Sequence, residues 1–184
     1  MRARPSALWF VSLAALVAPA LISACMSPSS ATPTELVVDI DAEPAVKARA
    51  QTLHVVVEAA VDVSDPKQLS SSLDQSVKTA KLPLRVALVP LFGSARRKFV
   101  LTATALDAKQ VLVAQARLVS GYVADEVRYA HLLIEDACLD THCAGALDTC
   151  AGGHCVPAEV DAGGLSQDPQ HPTRLPASEA DAGE

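Results

Sequence analysis

The feature that most constrains the fold is a two-residue alternation of apolar and polar side chains that recurs along most of the chain. In "TLHVVVEAAVD" (Thr52 to Asp62), Leu53, Val55, Val57, Ala59 and Val61 share one face, while His54, Glu58 and Asp62 share the other. Successive side chains of an extended strand point to opposite sides, so this pattern predicts a half-buried strand. "LPLRVALVPL" (Leu82 to Leu91) repeats it, with Leu82, Leu84, Val86 and Leu88 opposed to Arg85. In "KFVLTATAL", Phe99, Leu101, Ala103 and Ala105 oppose Lys98, Thr102 and Thr104; in "QVLVAQARLVSGY", Leu112, Ala114, Ala116 and Leu118 oppose Gln115 and Arg117. "ELVVDID" (Glu35 to Asp41) and "VRYAHLLIED" (Val127 to Asp136) complete the set. The chain is predicted to be all-β.

The short Asp107–Ala108 link between two such runs reads as a hairpin turn. Five or six strands with no helical pattern between them favour an antiparallel sandwich over residues 35–137, immunoglobulin-like or fibronectin-like by architecture. The tryptophan and buried cysteine pair of true immunoglobulin domains are absent. Two gaps interrupt the pattern. Glu43 to Gln51 permits a helical turn, because Pro44 suits a first helical position. Ser64 to Lys81 is polar; Leu69, Leu73 and Val77 recur every fourth residue, as on a short amphipathic helix, while the serines at 70–72 and 76 suit a mobile loop. Both readings stay open.

Beyond the strands lies "CLDTHCAGALDTCAGGHC" (Cys138 to Cys155), which holds four of the five cysteines. This segment, residues 138–157, is too small for a core of its own, so covalent staples are expected in its place. It resembles the C-terminal segment of uncharacterised bacterial envelope lipoproteins. An even cysteine count in an exported chain implies two disulfides of three possible connectivities. Gly152–Gly153 can turn the chain between Cys150 and Cys155, and the favoured pairing is Cys138–Cys150 with Cys143–Cys155; the other two stay open. Zinc is the alternative for a cluster that also contains His142 and His154, but the usual C-x2-C knuckle is missing. Residues 158–184, rich in Asp, Gly, Ala, Pro and Ser, are expected to form a disordered acidic tail.

The N-terminus carries an address. Arg2 and Arg4 precede the apolar run "LWFVSLAALVA", and small residues then lead to Cys25. This is the layout of a secretory signal peptide, residues 1–24. The run is short for a membrane span and Pro19 interrupts it. "ISAC" (Ile22 to Cys25) resembles the lipobox of bacterial lipoproteins. The resemblance implies cleavage before Cys25, a diacylglycerol thioether on its sulfur and acylation of the new amine. Multiple acyl chains anchor firmly where one holds only marginally. Met26 in the next position implies outer-membrane sorting by default. Residues 25–34 then form the lipidated cysteine and a Ser/Pro-rich tether. Its last eight residues, Ser27 to Thr34, reach at most about 28 Å.

Loss of residues 1–24 removes Arg2 and Arg4 and no acid, which moves the formal charge from −6 to −8. It also removes Trp9 and Phe10, leaving Phe92, Phe99, Tyr122 and Tyr129 as the aromatics. An acidic surface with no stacking platform makes nucleic acid an unsuitable partner. No nucleophile elbow, zinc-protease helix or phosphate loop is present, and neither catalytic residues, a metal nor a cofactor is expected. His54 and His131 lie on predicted strands that can bring them face to face; exposed strand histidines are the commoner case. Glu58, Asp62, Glu135 and Asp136 read as solvated strand ends, and Arg96, Arg97 and Lys98 as a charged hairpin turn open to anionic lipid or glycan phosphate. The expectation is a non-enzymatic interaction or structural module, held to the bilayer at Cys25, whose partner is another envelope protein or a surface polymer. A glycan- or cell-wall-binding module is the alternative, and a small enzyme the weakest third.

Overall fold

Each alternating run becomes a strand whose apolar set turns inward. The computed structural model describes residues 32–60, 62–63, 65 and 69–176. The predicted leader, Cys25, most of the tether and residues 177–184 lie outside the described residues. The strands are β1 (Glu35–Ala42), β2 (Thr52–Ala60), β3 (Ser70–Lys78), β4 (Leu84–Leu88), β5 (Lys98–Leu106), β6 (Leu112–Ser120), β7 (Val127–Ile134), β8 (Asp148–Ala151), β9 (His154–Pro157) and β10 (Thr173–Leu175). The one α-helix among the described residues is α1 (Pro44–Arg49). Two four-stranded sheets, ordered β10-β7-β1-β4 and β3-β2-β5-β6, form an open sandwich, and β8-β9 is a separate hairpin. Leu36, Val38 and Ile40 of the first sheet share one buried cluster with Leu53, Val55 and Leu101 of the second.

The second sheet is antiparallel throughout, with β5 and β6 joined by the expected hairpin. The first sheet is mixed: β1 pairs antiparallel with β4 but parallel with β7, and β10 is also parallel to β7. A parallel pair needs a long crossover, and between β1 and β7 the chain builds the whole second sheet. The permitted helical turn is α1, with Pro44 in its first turn. One of its free N-terminal donors is met by Asp136, whose Oδ1 accepts from the Val46 amide at 2.9 Å. The Asp136 amide in turn donates to Glu43 Oε2 at 2.7 Å. Asp136 is therefore a helix cap, not a solvated strand end.

Ser64 to Lys81 contains neither a helix nor a loop at its centre but β3, which pairs with β2 through Val57↔Leu73 and Leu53↔Val77. A spacing of four residues satisfies a strand as well as a helix, and here Leu73 and Val77 pack on the core from an edge position.

The tail expected to be disordered is ordered through Pro176. The Val119 amide donates to the Ala158 carbonyl and the Val160 amide to the Val119 carbonyl, both at 2.9 Å, so the tail first pairs with the free edge of β6. It then crosses to the other sheet, where the Tyr129 amide donates to the Ser166 carbonyl at 2.8 Å and β10 adds to β7. Arg128 grips this strap by donating from Nη1 to the Leu165 carbonyl at 2.6 Å. Leu165 and Leu175, at 2% and 3% exposure, enter the main core. Apolar periodicity is not needed when two leucines and borrowed strand edges do the ordering. Leu165→Ala is expected to lower the unfolding free energy by about 3 kcal/mol in a urea titration; a disordered tail would leave the midpoint unchanged.

The disulfides are Cys138–Cys150 and Cys143–Cys155, the favoured pairing. All four thiols are thereby consumed, which leaves the zinc alternative without thiolates. Cys150 and Cys155 are register neighbours across β8 and β9, where Gly152 and Gly153 turn the chain at φ of 54° and 83°. The hairpin does not stand alone. Arg117 of β6 donates from Nη1 to the Gly145 and Asp148 carbonyls, and its amide donates to Thr149 Oγ1 at 2.9 Å. A small second cluster forms on the outer face of β5 and β6, where Val100 and Val119 meet Ala158 and Leu147.

Candidate functional site

The strap closes one side of the sandwich, the side of β6 and β7. The other side stays open, and there β3 and β4 are the outer strands of their sheets. Between them runs a groove of about 550 Å³. Val57 and Leu88 lie at its base, Ser72, Leu73 and Gln75 of β3 form one wall, and Leu84 and Val86 of β4 form the other. Leu84 and Val86 were expected to point fully inward; they are only half-buried, because no element covers this side among the described residues. Among the described residues, the outer edges of β3 and β4 carry backbone donors and acceptors with no neighbouring strand. Such edges are templates for an added strand.

Tyr122 ends the groove and also lines a second cleft of about 410 Å³, together with Arg96, Arg97, Ser120 and Asp161. Its ring lies 5.5 Å from that of Phe99. Burial pushes the Tyr122 hydroxyl up to about 12, so it stays protonated. The Arg97 Nε is buried without a partner among the described residues. Lys98 is held by Glu159 at 2.5 Å. The expected hairpin around Arg96–Lys98 is instead a connection between sheets, since β4 belongs to the first and β5 to the second.

The two histidines do not meet. His54 faces outward from the second sheet, with Nε2 2.8 Å from Asp74. His131 faces outward from the first, between the buried Ala130 and Leu132, so the core separates them. There it belongs to a row running across the sheet, Arg85, Asp39, His131 and Arg174, one residue from each strand. Glu58 lies mid-strand on the outer face of β2, and Glu135 accepts from the Gly152 amide at 2.6 Å. Among the described residues, no three His, Cys, Asp or Glu side chains converge as a metal site.

The row supplies a pH prediction. The bidentate hydrogen bonds from Arg85, both 2.7 Å, hold the Asp39 carboxyl below the usual carboxylate range. Arg49 does the same to Asp140. A carboxyl lowered in the folded state contributes stability that is complete above its unfolded value, about pH 4, and lost as pH falls through the folded one. Thermal melts are therefore expected to hold level from neutral pH down to about 5 and to fall below about 4. Asp39→Asn should flatten that fall slightly, since exposed pairs contribute little.

Searches against protein-family models, curated proteins and solved structures return no match to this chain.

Proposed function

We propose that this is a lipid-anchored module of the bacterial envelope, attached through Cys25, that works by holding an extended segment of a partner protein. The observation that carries the binding part is the groove between two unpaired strand edges with an aliphatic base. Edge backbone groups supply affinity to any extended polypeptide, and alternate side chains of the guest enter apolar pockets. The lining favours a polypeptide over a glycan, because sugars stack on aromatic faces and Tyr122 is the one aromatic in the groove. The anchoring part is supported by "ISAC" and the leader before it.

Affinity purification from detergent-solubilised native membranes tests the reading. A protein recovered in stoichiometric amount is expected, and Val86→Arg, which puts a charge into the groove wall, is expected to release it while the variant melts within a few degrees of the parent. Equal recovery with the variant, or retention of the chain on cell-wall polysaccharide instead, contradicts the groove as the site.

A further inference from the structure

At one end of the sandwich the connection from β4 to β5 is an apolar apex above a basic base. Val89, Leu91 and Phe92 are 64%, 55% and 94% exposed. Pro90 beneath them is buried, and Arg96 is exposed. Phe92 sits at φ 56°, a left-handed conformation that is unfavourable for a bulky side chain. The chain thus keeps one of its few aromatics nearly naked on a strained turn.

The register shows where this apex lies. Leu36 pairs with Leu88, so the exit of β4 sits beside the start of β1. The Asp125 amide donates to Thr34 Oγ1 at 2.9 Å, which fixes the incoming tether at the same end. Lys98 at the start of β5 and Ser120 at the end of β6 also belong to it. The β5–β6 turn, with Val111 57% exposed, belongs to the far end.

We infer that the Val89–Phe92 apex is a membrane-docking loop: Phe92 and Leu91 enter the headgroup boundary of the bilayer that holds the anchor, and Arg96 and Arg97 meet phospholipid phosphates. The bilayer is the chosen occupant because the tether arrives here, and its eight residues, at about 3.5 Å each, keep this end within about 28 Å of the headgroups. Apolar tips with neighbouring cations partition into that boundary.

This inference rests on the lipid-anchor reading for its choice of membrane, and the experiment separates the two. The only tryptophan, Trp9, lies in the predicted leader, so Phe92→Trp makes a single reporter in the mature chain. In the lipidated protein, reconstituted in phosphatidylcholine–phosphatidylglycerol vesicles, its emission is expected to move to the blue and to be quenched by lipids brominated on the acyl chains. Val111→Trp, at the far end, is expected to emit as in water. For the mature chain with Cys25→Ser, Phe92→Asp is expected to weaken binding to the same vesicles by about tenfold or more. Arg96→Ala should weaken it by about fivefold. An aqueous spectrum for the residue-92 reporter, or equal quenching at 92 and 111, overturns the inference. Absence of added mass on Cys25 defeats the anchor reading alone, because the thiol-less chain still reports on the apex.

Discussion

Phe99→Ala is expected to lower the unfolding free energy by about 4 kcal/mol, the largest loss from any single substitution in the folded body. Phe99 is the largest fully buried side chain among the described residues, at 0% exposure. The loss combines the transfer of its ring with the cavity left behind, since β5 is flanked on both sides by paired strands and cannot collapse inward. The ring also supports Tyr122, at a tilt of 53°, a pairing that adds about 1 kcal/mol beyond burial. Because Tyr122 ends the groove, the variant should release the partner proposed for the groove at temperatures where it is still folded. Urea titration gives the first effect and affinity purification the second. A loss below about 2 kcal/mol contradicts the packing described, and undiminished partner recovery contradicts the role given to Tyr122.

Replacing Cys138 and Cys150 together by alanine is expected to cost about 3 kcal/mol, the loop-closure value for a link of this span. The other disulfide has the same sequence separation, 12 residues, so loop entropy alone predicts equal effects. Burial breaks the tie: Cys138 and Cys150 are 1% and 2% exposed, whereas Cys155 is exposed and Cys143 half-buried. Loss of the inner link should therefore be the costlier. It should also free the strap, because Ala158 follows directly on β9 and carries the hydrogen bond from Val119. Amide exchange should accelerate at Val119 and Val160 while Val38 and Leu132 stay protected. Uniform acceleration, or none, would show that the hairpin does not hold the strap.

The strands legible in the sequence are those whose inward set is wholly apolar, such as Leu53, Val55 and Val57. β3 was not, because Ser70 to Ser72 offer nothing to bury and its two apolar anchors suit either period. The strap was hidden for a related reason: it is ordered by backbone pairing with the edges of β6 and β7, and backbone groups leave no trace in composition. The groove could not be read at all. Leu84, Val86 and Leu88 alternate as any core strand does, and only strand order reveals that they line an open side. The apex was masked by continuity. Val89 and Leu91 extend the apolar run of β4, but the strand ends at Leu88 and the chain turns outward with Pro90 at its base. Of the site as described, the sequence marks Arg96, Arg97 and Lys98, as a charged hairpin turn open to anionic lipid or glycan phosphate.

The proposed function and the docking inferred for the apex rest on attachment at one sulfur, that of Cys25. Intact-mass analysis of the protein purified from its native host tests that attachment most directly. The account predicts a chain that begins at Cys25 and carries the mass of a diacylglyceryl group and an amide-linked acyl chain. A chain that retains its first methionine, or one that starts at Cys25 with a bare thiol and amine, contradicts it.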